Sequence, residues 1–147
     1  MNDTYIEQVM TDHFLTLNEF SGIPYITKDA QGRILNVVLP NQPETQTNLK
    51  DRFFALHFLG NEPEMAGLGT GAFNEWTGIF QIDIIVPLGS AQNESIAKVN
   101  AISKLFSRGK MINDVMCIKC YRATEGAEEI YYRTVMRVEY RAVLPND

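Results

Sequence analysis

The sequence predicts an α+β subunit, one mixed, mostly antiparallel sheet with two helices packed on one face. Three observations lead there. Two segments carry apolar residues at spacings of three and four, the pattern of helices that bury one side. Five others are short apolar or alternating runs of strand length. Their order is helix, strands, helix, strands, and 147 residues make one domain, 1–147, with a single core.

The first helix can be capped by Asp3 or Thr4 and carries Ile6, Val9, Met10, His13, Phe14 and Leu17 on one side. Ser21-Gly22 stops it. Pro24 and the polar turn Lys28 to Gly32 lead into an apolar run, Ile34 to Leu39, that ends at Leu39-Pro40-Asn41-Gln42-Pro43. Arg52 to Leu59, dense in aromatic and aliphatic residues, has the length of a mostly buried strand. Ile79 to Val86 alternates clearly, with Phe80, Ile82, Ile84 and Val86 on one face and Gln81, Asp83 and Ile85 on the other. Pro87-Leu88-Gly89 ends it.

Ser90 is placed to cap a second helix whose stripe is Ile96, Val99, Ile102 or Ser103, and Phe106, widened by Ala97, Ala101 and Leu105. Arg108-Gly109 stops this helix. Val115 to Arg122 and Ile130 to Val143 then read as a hairpin around the turn Ala123-Thr124-Glu125-Gly126.

Between the strands lies Gly60 to Gly78, nineteen residues with five glycines and no clear period, an unusual length for a connection inside a compact domain. It also carries Met65, Leu68, Phe73 and Trp76. Such side chains gain roughly 1.5–3 kcal/mol each on burial. The expectation is a loop that is mobile in the free subunit and orders against a neighbour.

Composition excludes several function classes. No apolar run approaches the roughly 18 residues of a membrane span, and the polar start Met1-Asn2-Asp3-Thr4 is unlike a secretory leader. A net charge of −5, from 13 basic and 18 acidic residues, disfavours binding that works by neutralising phosphates. The charge is uneven: residues 1–97 carry four basic and twelve acidic side chains, residues 98–141 nine and five. That split of −8 and +4 is either chance on a folded surface or the mark of a subunit with one acidic and one basic side, suited to head-to-tail packing.

Signs of catalysis are weak. Cys117-Ile118-Lys119-Cys120 has the spacing of a metal or redox pair but falls in a predicted strand, where residues of opposite parity face opposite ways, so two reduced thiols are expected. Gly67-Leu68-Gly69-Thr70-Gly71 lacks the spacing and the following helix of a phosphate-binding turn. His13 lies on an apolar stripe, the position of a packed histidine. No cofactor or metal is called for. The last strand says more. Tyr132, Thr134, Met136, Val138 and Tyr140 alternate with Arg133, Val135, Arg137, Glu139 and Arg141, placing three arginines on one face. They form either a solvated face with weak ion pairs or a subunit interface, where the planar guanidinium recognises carboxylates.

One further pattern spans Val38 to Tyr140. Leu39 to Pro43, the strand Arg52 to Leu59, Trp76-Thr77-Gly78-Ile79-Phe80-Gln81-Ile82-Asp83-Ile84, Val86-Pro87-Leu88-Gly89, the helix end Lys104-Leu105-Phe106-Ser107-Arg108-Gly109 and the strand end Val138-Glu139-Tyr140 together resemble the small tail terminator proteins of long-tailed phages, the lambda U-like group. Residues 21–36 depart from that pattern. The resemblance implies a non-enzymatic virion protein, made in the bacterial cytoplasm, that forms a homohexameric ring on the finished tail tube. The ring stops tube polymerisation and joins the capsid connector, and DNA passes through its lumen without specific binding. Its implied partners are itself, the tube protein and a connector or head-completion protein. Arg133, Arg137, Arg141, Met65, Leu68, Phe73 and Trp76 are the candidate interface residues. Another head-tail completion protein is the nearest alternative, and a small ligand-binding or enzymatic α+β domain is the alternative from a different class.

Overall fold

A computed structural model describes residues 2–43, 52–65, 73–89, 92–128 and 130–145. Chain order is α1 (Asn2–Phe14), α2 (Leu17–Ser21), β1 (Val37–Val38), β2 (Phe53–Gly60), β3 (Glu64–Met65), β4 (Phe73–Pro87), α3 (Gln92–Leu105), β5 (Met111–Ile112), β6 (Val115–Ala127) and β7 (Tyr131–Pro145). The strands form one seven-stranded mixed sheet in the order β1-β2-β4-β7-β6-β5, with β3 added beside the start of β4. Only β1 runs parallel to its neighbour, β2.

The middle of the sheet is a ladder of fifteen pairs between β4 and β7, from Phe73 opposite Pro145 to Pro87 opposite Tyr131. Alternation along these strands decides the layers. Phe80, Ile82, Ile84 and Val86 of β4 and Met136, Val138, Tyr140, Ala142 and Leu144 of β7 are buried in the main core. Phe54 and Leu56 of β2, Ile6, Val9, Met10 and Phe14 of α1, and Ile102 and Leu105 of α3 belong to the same cluster. Edge-on ring contacts join the layers: Phe14 meets Phe54 at 5.3 Å, and His13 meets Phe106 at 5.2 Å. His13 is a packed histidine, its Nε2 bonded to the Leu105 carbonyl at 2.9 Å, and its burial lowers the imidazole pKa.

The helical segment at the N-terminus, broken at Leu15-Thr16 into α1 and α2, ends where the sequence places its stop, with Gly22 in the left-handed conformation at φ 72° and its N–H on the Asn18 carbonyl. Residues 23–36 form no long ladder and are held by the single antiparallel bridge of Lys28 with Ile34, by the backbone bond from the Phe54 N–H to the Asn36 carbonyl, and by two asparagine side chains. Asn18 donates to the Ile26 carbonyl and accepts from the Ile26 N–H, and Asn36 does the same for the Tyr25 carbonyl and the Thr27 N–H. The predicted strand Ile34 to Leu39 is accordingly shortened to Val37–Val38.

Five expectations are corrected. Phe73 to Gly78 is the first part of β4, not a connection, because the far end of β7 pairs with it through Leu144. Trp76 lies half-buried against the core in the single subunit, its Nε1 enclosed without an acceptor among the described residues. The hairpin turn comes later than Ala123 to Gly126, of which Thr124 to Gly126 pair with β7 and Ala123 sits at a register shift, and it closes where the Glu128 N–H meets the Tyr131 carbonyl. The parity argument for the cysteines also fails. A register shift between Cys117 and Lys119 sets Cys117 opposite Tyr140 and Cys120 opposite Val138, so both thiols face the core. Both are free, and burial raises each to a pKa of about 11. The second helix also turns differently: Ile96 is exposed, while Ser95 and Lys98 are buried. Ser90 and the run Gly67 to Gly71 lie outside the described residues.

Candidate assembly interface

The alternate residues of the central strands form the other face of the sheet, and cross-strand register arranges them in rows. His57, Gln81, Arg137 and Tyr121 stand opposite one another across β2, β4, β7 and β6. One row towards the hairpin turn are Ala55, Asp83 and Val135, followed by Phe53, Ile85 and Arg133. In the other direction are Leu59, Ile79, Glu139 and Lys119, with Thr77 and Arg141 beyond. A small second cluster of Val38, Phe53, Ala55 and Ile85, flanked by Tyr131, supplies the apolar part of this face.

The three arginines are brought onto one face as their spacing predicts, yet their environments differ. Arg133 Nη1 donates to Asp83 Oδ2 at 2.6 Å, and its Nε reaches Glu128 at 3.2 Å. The Asp83 side chain is 5% exposed, so the first contact is a largely desolvated ion pair. Gln81 Nε2 donates to the other Asp83 oxygen at 2.9 Å, and His57 Nε2 stands 3.3 Å from Oδ2. Arg141 Nη2 donates to Glu75 at 2.8 Å in a more open setting. Arg137 donates through Nε to the neutral Gln81 amide oxygen at 3.2 Å, and among the described residues its guanidinium meets no carboxylate. Lys119 lies across Glu139 at 3.3 Å and over the Tyr121 ring at 5.0 Å. The row through Arg137 therefore presents a cation whose charge is not matched within the subunit.

These differences have a measurable consequence. Arg133→Ala leaves the Asp83 carboxylate desolvated without its guanidinium, and is expected to lower unfolding free energy by about 2–4 kcal/mol. Arg141→Ala, at a half-exposed pair, is expected to change it by less than about 1 kcal/mol. Chemical denaturation of the two variants checks this, and equal midpoints would contradict the difference in burial.

The apolar candidates do not gather in one place. Phe73 is half-exposed at the start of β4 with the parity of the arginine face, whereas Trp76 has the opposite parity and packs on the core. Met65, on β3, is 72% exposed beside Asn74, and Leu68 lies outside the described residues. Sequence reasoning missed His57, Gln81, Asp83 and Glu75 as partners of the arginines. The alternation in Ile79 to Val86 already puts Gln81 and Asp83 on a polar face, but which strand lies beside which is visible only in the fold.

A search of curated proteins finds no match. A solved structure superposes with a TM-score of 0.65 over 95% of this chain and 97% of its own, at 10% sequence identity, a likeness of fold alone. A family profile described as phage tail terminator protein matches residues 24–140 and so spans every strand but the last five residues of β7. The chain belongs to the phage tail terminator family.

Proposed function

We propose that the protein is a structural tail terminator subunit with its helices on one side of the sheet and its arginine-bearing side available for assembly. Copies join head to tail into a homohexameric ring that caps the tail tube, stops its growth and offers the surface to which the capsid connector binds. The observation that carries this reading is the family match over residues 24–140. Two features of the chain support it. The charge division of −8 over residues 1–97 and +4 over residues 98–141 favours heterologous pairing of unlike sides. Arg137 provides a cation with no carboxylate of its own among the described residues. DNA crosses the lumen without base recognition, as the acidic balance favours.

Native mass spectrometry and light scattering across a salt series, followed by electron imaging of any oligomer, test the proposal. The expected result is a six-fold ring whose association weakens as salt shortens the screening length below about 8 Å. A two-fold dimer indifferent to salt would overturn it.

A further inference from the structure

Lys98 occupies an unusual position. It lies on the buried side of α3, with its side chain 8% exposed and Nζ 5.4 Å from the centre of the Phe54 ring. An ammonium group has three N–H donors and needs acceptors when taken out of water. The nearest carboxylate oxygen, Glu94 Oε1, stands 3.7 Å away, beyond hydrogen-bond length, and already accepts from Arg52 Nε at 2.5 Å. Two cations thus share one carboxylate. No hydrogen bond to Lys98 Nζ is present among the described residues.

The three side chains border an open cavity of about 320 Å³, lined also by Pro24, Tyr25, Thr27 and Asn36. Of those walls, Tyr25 and Thr27 bring hydroxyls to the cavity, while Asn36 and Pro24 offer the ammonium little. Asn36 spends its amide oxygen on the Thr27 N–H and its amide nitrogen on the Tyr25 carbonyl, and Pro24 brings no side-chain acceptor. Among the described residues the site therefore sets two cations against one carboxylate, with donors on Lys98 and Arg52, apolar ring surface, and an acceptor already engaged. Desolvation and the neighbouring Arg52 lower the Lys98 pKa, and the Glu94 carboxylate opposes them only in part.

We propose that this cavity is a seat for a compact oxyanion, a carboxylate or phosphate group gripped between Lys98 and Arg52. A volume of this size sits at the lower end of small-ligand sites. The depth of Lys98 rules out the phosphate chain of a duplex, which cannot follow an ammonium that is nine-tenths covered. The oxyanion is either a free small ion or a carboxylate borne by a side chain of a neighbouring protein, and the inference does not depend on the ring. Binding would add a tie between α3 and the segment 24–36, which is otherwise fastened by the buried Ile26, the backbone bond of Phe54 to Asn36, and asparagine side chains.

The test uses the full chain with inorganic phosphate and acetate as probes, observing the Lys98 side-chain ammonium resonance by nitrogen-15 NMR. With a free ion as ligand, the resonance shifts saturably when either probe is added to the isolated subunit. With a carboxylate from a neighbour as ligand, it shifts on assembly with no anion added, and the change is reversed by excess acetate. Lys98→Met is expected to abolish the thermal stabilisation that phosphate confers. Glu94→Gln is expected to tighten phosphate binding by roughly tenfold, since it removes a like charge at close range. Should Lys98→Met fail to fold, Arg52→Gln replaces it, with weakened phosphate binding expected. An ammonium resonance unmoved by both probes and by assembly overturns the proposal, as does a phosphate response undiminished in the Lys98→Met or Arg52→Gln variant.

Discussion

Replacing Gly78 with alanine is expected to lower unfolding free energy by about 3 kcal/mol, a loss of roughly 10 °C in melting temperature for a chain of this size. The reason lies in three strands. Gly60, Gly78 and Tyr140 are opposite one another across β2, β4 and β7, so the tyrosine ring stands where two glycines leave room. It stacks on Phe58 with ring centres 5.5 Å apart and planes 14° from parallel. A β-carbon on Gly78 would fall 2.4 Å from the Tyr140 hydroxyl oxygen and 2.5 Å from the Leu59 carbonyl oxygen. The first contact belongs to a fully buried ring and the second to backbone, so neither yields cheaply. Burial also raises the phenol pKa, and the nearby Asp3 carboxylate adds to that, so Tyr140 stays neutral well above physiological pH.

Gly126→Ala provides the control. Nothing lies within 4 Å of its added β-carbon, and the substitution is expected to be neutral or to stabilise by about 0.4–1 kcal/mol through the unfolded chain. Adding Tyr140→Phe to Gly78→Ala removes the hydroxyl but not the contacts with Leu59 and Tyr140 Cζ, so recovery is expected to be partial. Chemical denaturation of the three variants measures these differences. A Gly78→Ala protein as stable as the parent would mean that the ring does not rest on the glycine pair.

What could be read from the chain follows from which interactions are local. The two faces of Ile79 to Val86 and of Tyr132 to Arg141 are visible because alternation at period two needs no knowledge of neighbours. The start of β4 is hidden for the opposite reason. Asn74, Glu75, Thr77 and Gly78 look like a connection, and only pairing with the distant Tyr140 to Leu144 makes them a strand. The cysteines show how one inserted residue defeats parity: Ile118, at the register shift, returns Cys120 to the side of Cys117. In α3, a lysine reads as the solvent side of the helix. Its burial depends on Phe54 and Arg52, which come from a separate part of the chain. The arginines were legible as a face, whereas the contrast between Arg133, paired with Asp83, and Arg137, paired with a neutral amide, depends on the lateral order of strands.

Adjacent residues on β7 are expected to separate folding from assembly. Met136 is fully buried in the main core, and Met136→Asp would place a carboxylate there without a partner, a change expected to cost about 4–5 kcal/mol and to leave little native protein. Arg137 points to the other face, where among the described residues its side chain gives up only the bond to Gln81. Arg137→Glu is therefore expected to unfold with a midpoint within about 1 kcal/mol of the parent, although it adds negative charge near Asp83. If Arg137 receives a carboxylate from the next subunit, reversal of its charge sets like charges together, and oligomer formation and capping of tube growth are both expected to fail. Arg137→Gln, which removes attraction without adding repulsion, is expected to weaken association by less. Circular dichroism and denaturation establish the fold of each variant, and sizing by light scattering with a tube-length assay reads assembly. An Arg137→Glu protein that assembles and limits tube length normally would return this face to the role of a solvated surface and leave the proposed ring to be joined elsewhere.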